Sequence, residues 1–286
     1  MVVTGMAWCT ALGVKLDEVW SRLLAGDTGL REVPSAHPVR NLLAAAVDAP
    51  PAAREPARRQ VALAADTVGR ALDDAGLDAA TSAALLVAGT SYGAHLDDAG
   101  TTGLHDWAVE TADRAGLSRP PVSLSTACSS GSDAVLVAAE LVAAGVAERA
   151  VCGGADVLTS AKRLGHTALG TMSPTTLRAF DPRADGMLLG EGAGFLVLES
   201  ADSAARRRAT AYAVVRGGGA SNDAAGMTAP DASGDSVLLA VHRSLAAAGA
   251  APADVAVVNA HGSGTPLNDA VESRSFARLW PGERRP

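Results

Sequence analysis

The chain opens on an apolar run, MVVTGMAWCTALG, which predicts a first strand followed by a turn. From Leu16 to Ala25 the apolar positions recur at helical spacing and Gly26 follows, the pattern of a short amphipathic helix with a glycine stop. Between Pro34 and Pro56, Pro and Ala are frequent but no period emerges, so loop or irregular surface is expected there. Helical spacing returns from Arg59 to Ala75 and stops at Gly76. Ala83 to Ala88 is continuously apolar, as a buried strand is, and Leu104 to Ala115 again has helical spacing. Pro120 and Pro121 then lead into a strand over Val122 to Thr126. After ACSSG, an Ala/Val/Leu helix spans Ser130 to Ala144 and a strand spans Arg149 to Gly153. Strand, tight turn, helix and strand make a crossover unit. Gly192 to Leu198 and Tyr212 to Gly217 complete the predicted strands, and they flank a helix carrying Arg206, Arg207 and Arg208. An arginine run on a helix is read as a solvated face.

The segment ALDDAGLDAATSAALLVAGTS, ending at Ser91, is echoed by SLAAAGAAPADVAVVNAHGS, ending at Ser263. Each predicts a helix, a glycine stop, a short polar loop and a buried strand, so the chain is expected to be duplicated. On this division residues 1–189 form the first half and residues 190–286 a second half that stops partway. Composition agrees with a layered α/β protein, because 48% of the residues are hydrophobic while only four Trp, two Tyr and three Phe are present. The core must therefore be packed from Ala, Val and Leu.

A net charge of −7 gives no basic field to hold a phosphate backbone, which argues against nucleic acid. Cys9, Cys128 and Cys152 have neither CxxC nor His/Cys ligand spacing, so no disulfide framework, metal site or cofactor is expected. The compartment is expected to be reducing and cytoplasmic. The N-terminal run is too short and too Gly-broken for a signal peptide or a membrane span.

Cys128 follows a predicted strand and precedes a predicted helix, where backbone N–H groups and the helix dipole favour a thiolate. Its small neighbours Ala127, Ser129, Ser130 and Gly131 leave room for a substrate and for an oxyanion at the backbone. Cys152, inside the strand AVCGGA, is read as structural. His261 is placed at the end of a predicted strand, VAVVNA, and opens the Gly-rich turn HGSGTP, where an imidazole could hydrogen-bond a thioester carbonyl or shuttle a proton.

The order VTGM, TACSSG, GGAD, LGTMSP, RAFDPRADGMLLGEGAGFLVLE, NDAAGMTAPD and AHGSGTPLND resembles the β-ketoacyl synthases of fatty-acid and polyketide synthesis over nearly the whole chain. The resemblance implies a thiolase-like α-β-α-β-α fold of two repeated halves, the second incomplete. It places the acyl-accepting nucleophile on Cys128 and the thioester-polarising histidine on His261. Ser263 stands where the family usually has Thr. Glu191, of GEGAG, takes a structural role at the base of the site, while Met172 and Thr265 are implied to contact substrate.

The family's second catalytic histidine and its lysine lie in a GSxKxNxGH-type segment after HGTGT, whereas this sequence runs AVESRSFARLWPGERRP. Stand-alone condensation is therefore expected to fail, and a ketosynthase-family partner subunit is expected, in a heterodimer rather than a homodimer. The strand at Val122 to Thr126 resembles the one that pairs across the family's two-fold axis. An acyl carrier protein is the implied donor, for which Arg206 to Arg208 would be at most a minor docking patch. Three readings follow in order: an acyl-accepting ketosynthase-type subunit, a non-catalytic chain-length-factor-like subunit, and a reduced acyltransferase or thioesterase using Cys128.

Overall fold

In the computed structural model, residues 1–48, 55–91, 103–226, 228–282 and 286 are described. Strand β1 (Val2–Cys9) and helix α1 (Leu16–Leu24) are followed by two short strands, β2 (Leu30–Glu32) and β3 (Leu43–Ala45), and by the long helix α2 (Pro56–Asp74). Next come β4 (Leu85–Gly89), α3 (Asp106–Arg114), β5 (Val122–Leu124), α4 (Ser130–Ala143) and β6 (Arg149–Asp156). Helix α5 (Ser160–Ala168), β7 (Gly192–Glu199), α6 (Ala201–Arg206) and β8 (Ala213–Val214) precede helices α7 (Asp235–Ala248) and α8 (Pro266–Leu279). The chain divides into two compact units. One holds Met1–Ala36, Ala44–Arg163 and Leu189–Val215; the other holds His37–Leu43, Leu164–Leu188 and Arg216–Pro286.

The first unit is built on a mixed sheet of order β5-β4-β6-β7-β1-β8, parallel between β5, β4 and β6 and antiparallel from β6 to β8. Strand alternation sorts its side chains into two cores. Leu86 and Ala88 face Leu63, Val68 and Leu72 of α2, whereas Leu85 and Val87 join Ala134, Ala138 and Val142 of α4. Helices on both faces make this unit a three-layer α/β/α arrangement. Helix α2 starts with Pro56 in its first turn, where the missing N–H is harmless, and it buries Val61, Ala64, Val68, Ala71 and Leu72 along one stripe. Phe195 is the bulkiest of the fully buried side chains, and the remaining core is aliphatic, as the composition required. Among the described residues, no helix is long and apolar enough to cross a membrane.

Four expectations change. The stretch expected to be irregular between Pro34 and Pro56 contains β3, which pairs with β2; three-residue strands are too short to show a period. The strand expected over Tyr212 to Gly217 pairs only at Ala213 and Val214, which lie opposite Val3 and Val2 of β1. Residues 255–260, the expected strand before His261, belong to no assigned strand, and Val257 is 80% exposed. An apolar run becomes a strand only when a neighbouring ladder accepts it, and none does among the described residues.

The fourth change concerns the arginine run. Glu199, at the end of β7, is fully buried and accepts the Thr4 hydroxyl at 2.6 Å, the Ser203 hydroxyl at 2.7 Å and two Arg207 nitrogens at 2.5 and 3.0 Å. Arg207 also donates to the Ala75 carbonyl at 2.6 Å, which ties the end of α2 to β7 and β1. Arg207 is thus an internal counter-ion and not part of a solvated face, whereas Arg206 pairs at the surface with Glu148.

Burial alone would raise the pKa of Glu199, but the Arg207 guanidinium and the two hydroxyls outweigh it and bring it from 4.5 to about 2. A folded-state pKa below the unfolded one contributes stability above the unfolded value that is lost as pH falls through the folded value. Glu199→Gln should cost about 3–5 kcal/mol at pH 7, because it leaves Arg207 uncompensated. In urea unfolding, the decline of wild-type stability below about pH 5 should be visibly flatter in the variant. Equal steepness in both proteins would contradict this account.

Candidate active site

The parallel strands β4 and β6 end at Gly89 and Asp156, the edge at which open α/β sheets place their sites. There the first unit has a cavity of about 320 Å3 lined by Cys128 together with Gly89, Gly131, Gly154, Asp156 and Gly194. The ladder of β5 stops at Leu124, opposite Gly89, because β4 offers no further partner. Cys128 therefore does not follow the strand directly, as expected, but sits on a 3-10 turn over Ala127–Ser129 that hands the chain to α4.

Ala127 enters this turn at φ +55°, a left-handed conformation costly for a residue with a Cβ. The turn is clamped from both sides. The buried Ser130 hydroxyl accepts the Thr126 N–H at 2.8 Å and lies 2.7 and 2.9 Å from the carbonyls of Ala127 and Thr90. Thr126 and Ser129 hydroxyls donate to Asp133, in the first turn of α4, at 2.6 and 2.8 Å. Cys128 is left exposed at the N-terminal end of a helix of 14 residues.

The three cysteines form no disulfide and differ sharply in setting. Burial in β6 pushes the Cys152 thiol up to about 12, and burial also raises Cys9, against the lowering effect of Arg70. Neither would supply a thiolate near neutral pH.

Two carboxylates hold the walls around Cys128. Asp156 accepts the Thr90 hydroxyl, both the N–H and the hydroxyl of Ser91, and the Lys162 ammonium, the last at 2.6 Å. Glu191, whose side chain is 4% exposed, accepts the Val47 N–H at 2.9 Å, the Leu158 N–H at 3.3 Å and the Arg59 guanidinium at 2.5 Å. It immediately precedes Gly192, another residue of the cavity wall.

In the second unit, His261 opens a loop cradled by two buried acids of α8. Glu272 accepts the backbone N–H of His261 at 2.7 Å and that of Gly262 at 2.8 Å. Asp269 accepts Gly264 N–H at 3.1 Å and Phe180 N–H at 2.7 Å. The loop needs its glycines: Gly262 and Gly264 have φ of +52° and +78°, and a Cβ on Gly264 would stand 2.8 Å from the Gly186 carbonyl oxygen. Thr265 stands at the N-terminal boundary of α8 without a side-chain capping bond, its hydroxyl lying 2.9 Å from that of Ser263. Met172 is buried, with the Thr167 hydroxyl 3.4 Å from its sulfur.

Asp269 and Glu272 were missed in the sequence because an acidic pair on a helix reads as a solvated face. Their spacing of three residues, just after a turn rich in glycine N–H groups, is the signal that finds them. Of the other histidines, His105 and His166 bond Ser123 and Thr171 at 2.9 Å, and His95 lies outside the described residues.

A family model described as the β-ketoacyl synthase N-terminal domain matches residues 1–204, and one for the C-terminal domain matches residues 212–286. Among relatives, the oxytetracycline polyketide putative β-ketoacyl synthase 1 of Streptomyces rimosus is 33% identical, over 97% of this chain and 76% of that protein. The 3-oxoacyl-[acyl-carrier-protein] synthase 2 of Coxiella burnetii is 29% identical, over 98% of this chain and 77% of its own. Among solved structures, the ishigamide ketosynthase/chain length factor superposes with a TM-score of 0.90 at 27% identity, covering 99% of this chain and 78% of that one. AntDE:AntF, a type II polyketide synthase acyl-carrier protein in complex with its ketosynthase bound to the hexaketide, gives 0.85 at 25% identity, covering 97% and 77%.

Because the buried Glu272 carboxylate accepts two backbone N–H groups of the loop, Glu272→Gln should lower unfolding free energy by about 1.5–3 kcal/mol in chemical denaturation. A loss below about 0.5 kcal/mol would show that water serves the loop equally well.

Proposed function

The chain belongs to the β-ketoacyl synthase family and has its thiolase-like fold, and from that premise we propose that it accepts an acyl group as a thioester on Cys128 during fatty-acid or polyketide chain elongation. The observation that carries this reading is the contrast among the cysteines. Only Cys128 is exposed, beside a cavity at the carboxyl edge of the sheet and at the start of α4. In the transfer step the Cys128 sulfur attacks the donor's thioester carbonyl carbon. The tetrahedral oxyanion then collapses, the bond from that carbon to the donor sulfur breaks, and the proton from Cys128 ends on the departing thiol. The reading gives His261 the task of polarising a malonyl thioester carbonyl, and Glu191 that of holding the base of the Cys128 site.

The donor in this reading is an acyl carrier protein, in keeping with the complex in one of the similar structures. We further assign a ketosynthase-family partner subunit to the edge of the six-stranded sheet at β5, since an exposed edge is a template for pairing.

Incubation with a hexanoyl-loaded acyl carrier protein should add one hexanoyl mass, mapped to the Cys128 peptide and abolished by Cys128→Ala. Mass on Cys9 or Cys152, with Cys128 unmodified, overturns the assignment. Co-expressed with a full-length ketosynthase, the chain should run as a one-to-one complex in light scattering. Ser123→Pro, which removes a donor from the β5 edge, should weaken that complex at least tenfold. A chain that stays monomeric beside such a partner would overturn the pairing.

A further inference from the structure

Five glycines line the Cys128 cavity: Gly89, Gly131, Gly154, Gly192 and Gly194. Three of them are dictated by packing. A Cβ on Gly89 would stand 2.2 Å from the Ser130 carbonyl oxygen, one on Gly154 2.8 Å from that of Gly89, and one on Gly192 2.7 Å from that of Cys9.

Gly131 and Gly194 differ. A Cβ built on either meets no heavy atom of the described residues of that unit within 4 Å, and neither backbone is left-handed. Gly131 lies in the first turn of α4 and Gly194 in the interior of β7. Glycine in either place loses more backbone freedom on folding than alanine would. A strand glycine without a packing reason marks the close approach of a ligand or of another backbone. That both such glycines open onto the cavity beside Cys128 selects the ligand.

We propose that Gly131 and Gly194 set the cross-section available to the acyl chain carried on Cys128, and so admit acyl groups bulkier than acetyl. This rests on the reading of Cys128 as acyl acceptor. The rest of the lining discriminates little by polarity. The side chains of Ala155 and Ala193 are buried in the α2-side core, Gly89, Gly154 and Gly192 have none, and the Asp156 carboxylate is already engaged by Thr90, Ser91 and Lys162. Bulk is the property left for the cavity to read.

The test is self-acylation by acetyl-, hexanoyl- and decanoyl-N-acetylcysteamine, read by intact-protein mass, in the wild-type chain, Gly194→Val and Gly131→Ala. Valine suits a strand and alanine a helix, so both variants should keep a wild-type melting temperature. The decanoyl-to-acetyl loading ratio should fall roughly tenfold or more in Gly194→Val, the scale on which a pocket discriminates by small changes in fit, and by less in Gly131→Ala. An unchanged ratio in both variants overturns the proposal while leaving the Cys128 reading in place. So does a Gly194→Val protein that melts well below wild type with its ratio intact, since another backbone would then occupy the space. A wild-type chain that takes no acyl group on Cys128 overturns both.

Discussion

A carboxylate taken out of water must be surrounded by donors, and the loops of this protein are arranged around that requirement. An isolated buried charge costs several kcal/mol, so each buried acid fixes whatever supplies its donors. Glu199 ties β1, α6 and the end of α2 through Thr4, Ser203 and Arg207. Glu191 joins the segment at Val47 to that at Leu158, and Asp156, although partly exposed, likewise draws Thr90, Ser91 and Lys162 to the end of β6. In the second unit, Asp269 and Glu272 do the same for the loop at His261. Irregular backbone is held in place here by side-chain charge, where strands and helices use their own hydrogen bonds.

That order is what gives the turn at Cys128 its chemistry. The strand ladder ends at Leu124, the left-handed Ala127 redirects the chain, and Ser130 and Asp133 hold the result. Strain of this kind persists only where surrounding contacts over-determine it. The thiol is thereby displayed at a helix start, exposed beside a cavity that several glycines line. Cys152, on the neighbouring strand β6, has the opposite environment, and burial alone raises its pKa to about 12.

Much of this was legible from residue pattern. Helix α2, strands β4, β6 and β7 and helix α4 stand close to where periodicity placed them, because each buries one regular face. TACSSG marked the strand-to-helix junction. What escaped has physical causes. β2 and β3, at three residues each, are too short to display a strand's alternation, and an apolar run such as residues 255–260 carries no information about whether a ladder will receive it. Arg207 looked like one of three surface arginines because its partner Glu199 is fixed by tertiary structure. Asp269 and Glu272 were hidden in the same way: a helix's acids announce their spacing, but not whether backbone donors will meet them.

The central claim is that the cavity beside Cys128 receives an acyl chain bound through sulfur. The most direct measurement is a crystal structure of the protein after incubation with hexanoyl-N-acetylcysteamine. The account predicts continuous density from the Cys128 sulfur into the space bounded by the first turn of α4 and by Gly194 of β7. Density ending at an unmodified Cys128 sulfur, with the acyl group on another residue or in another cavity, would contradict it.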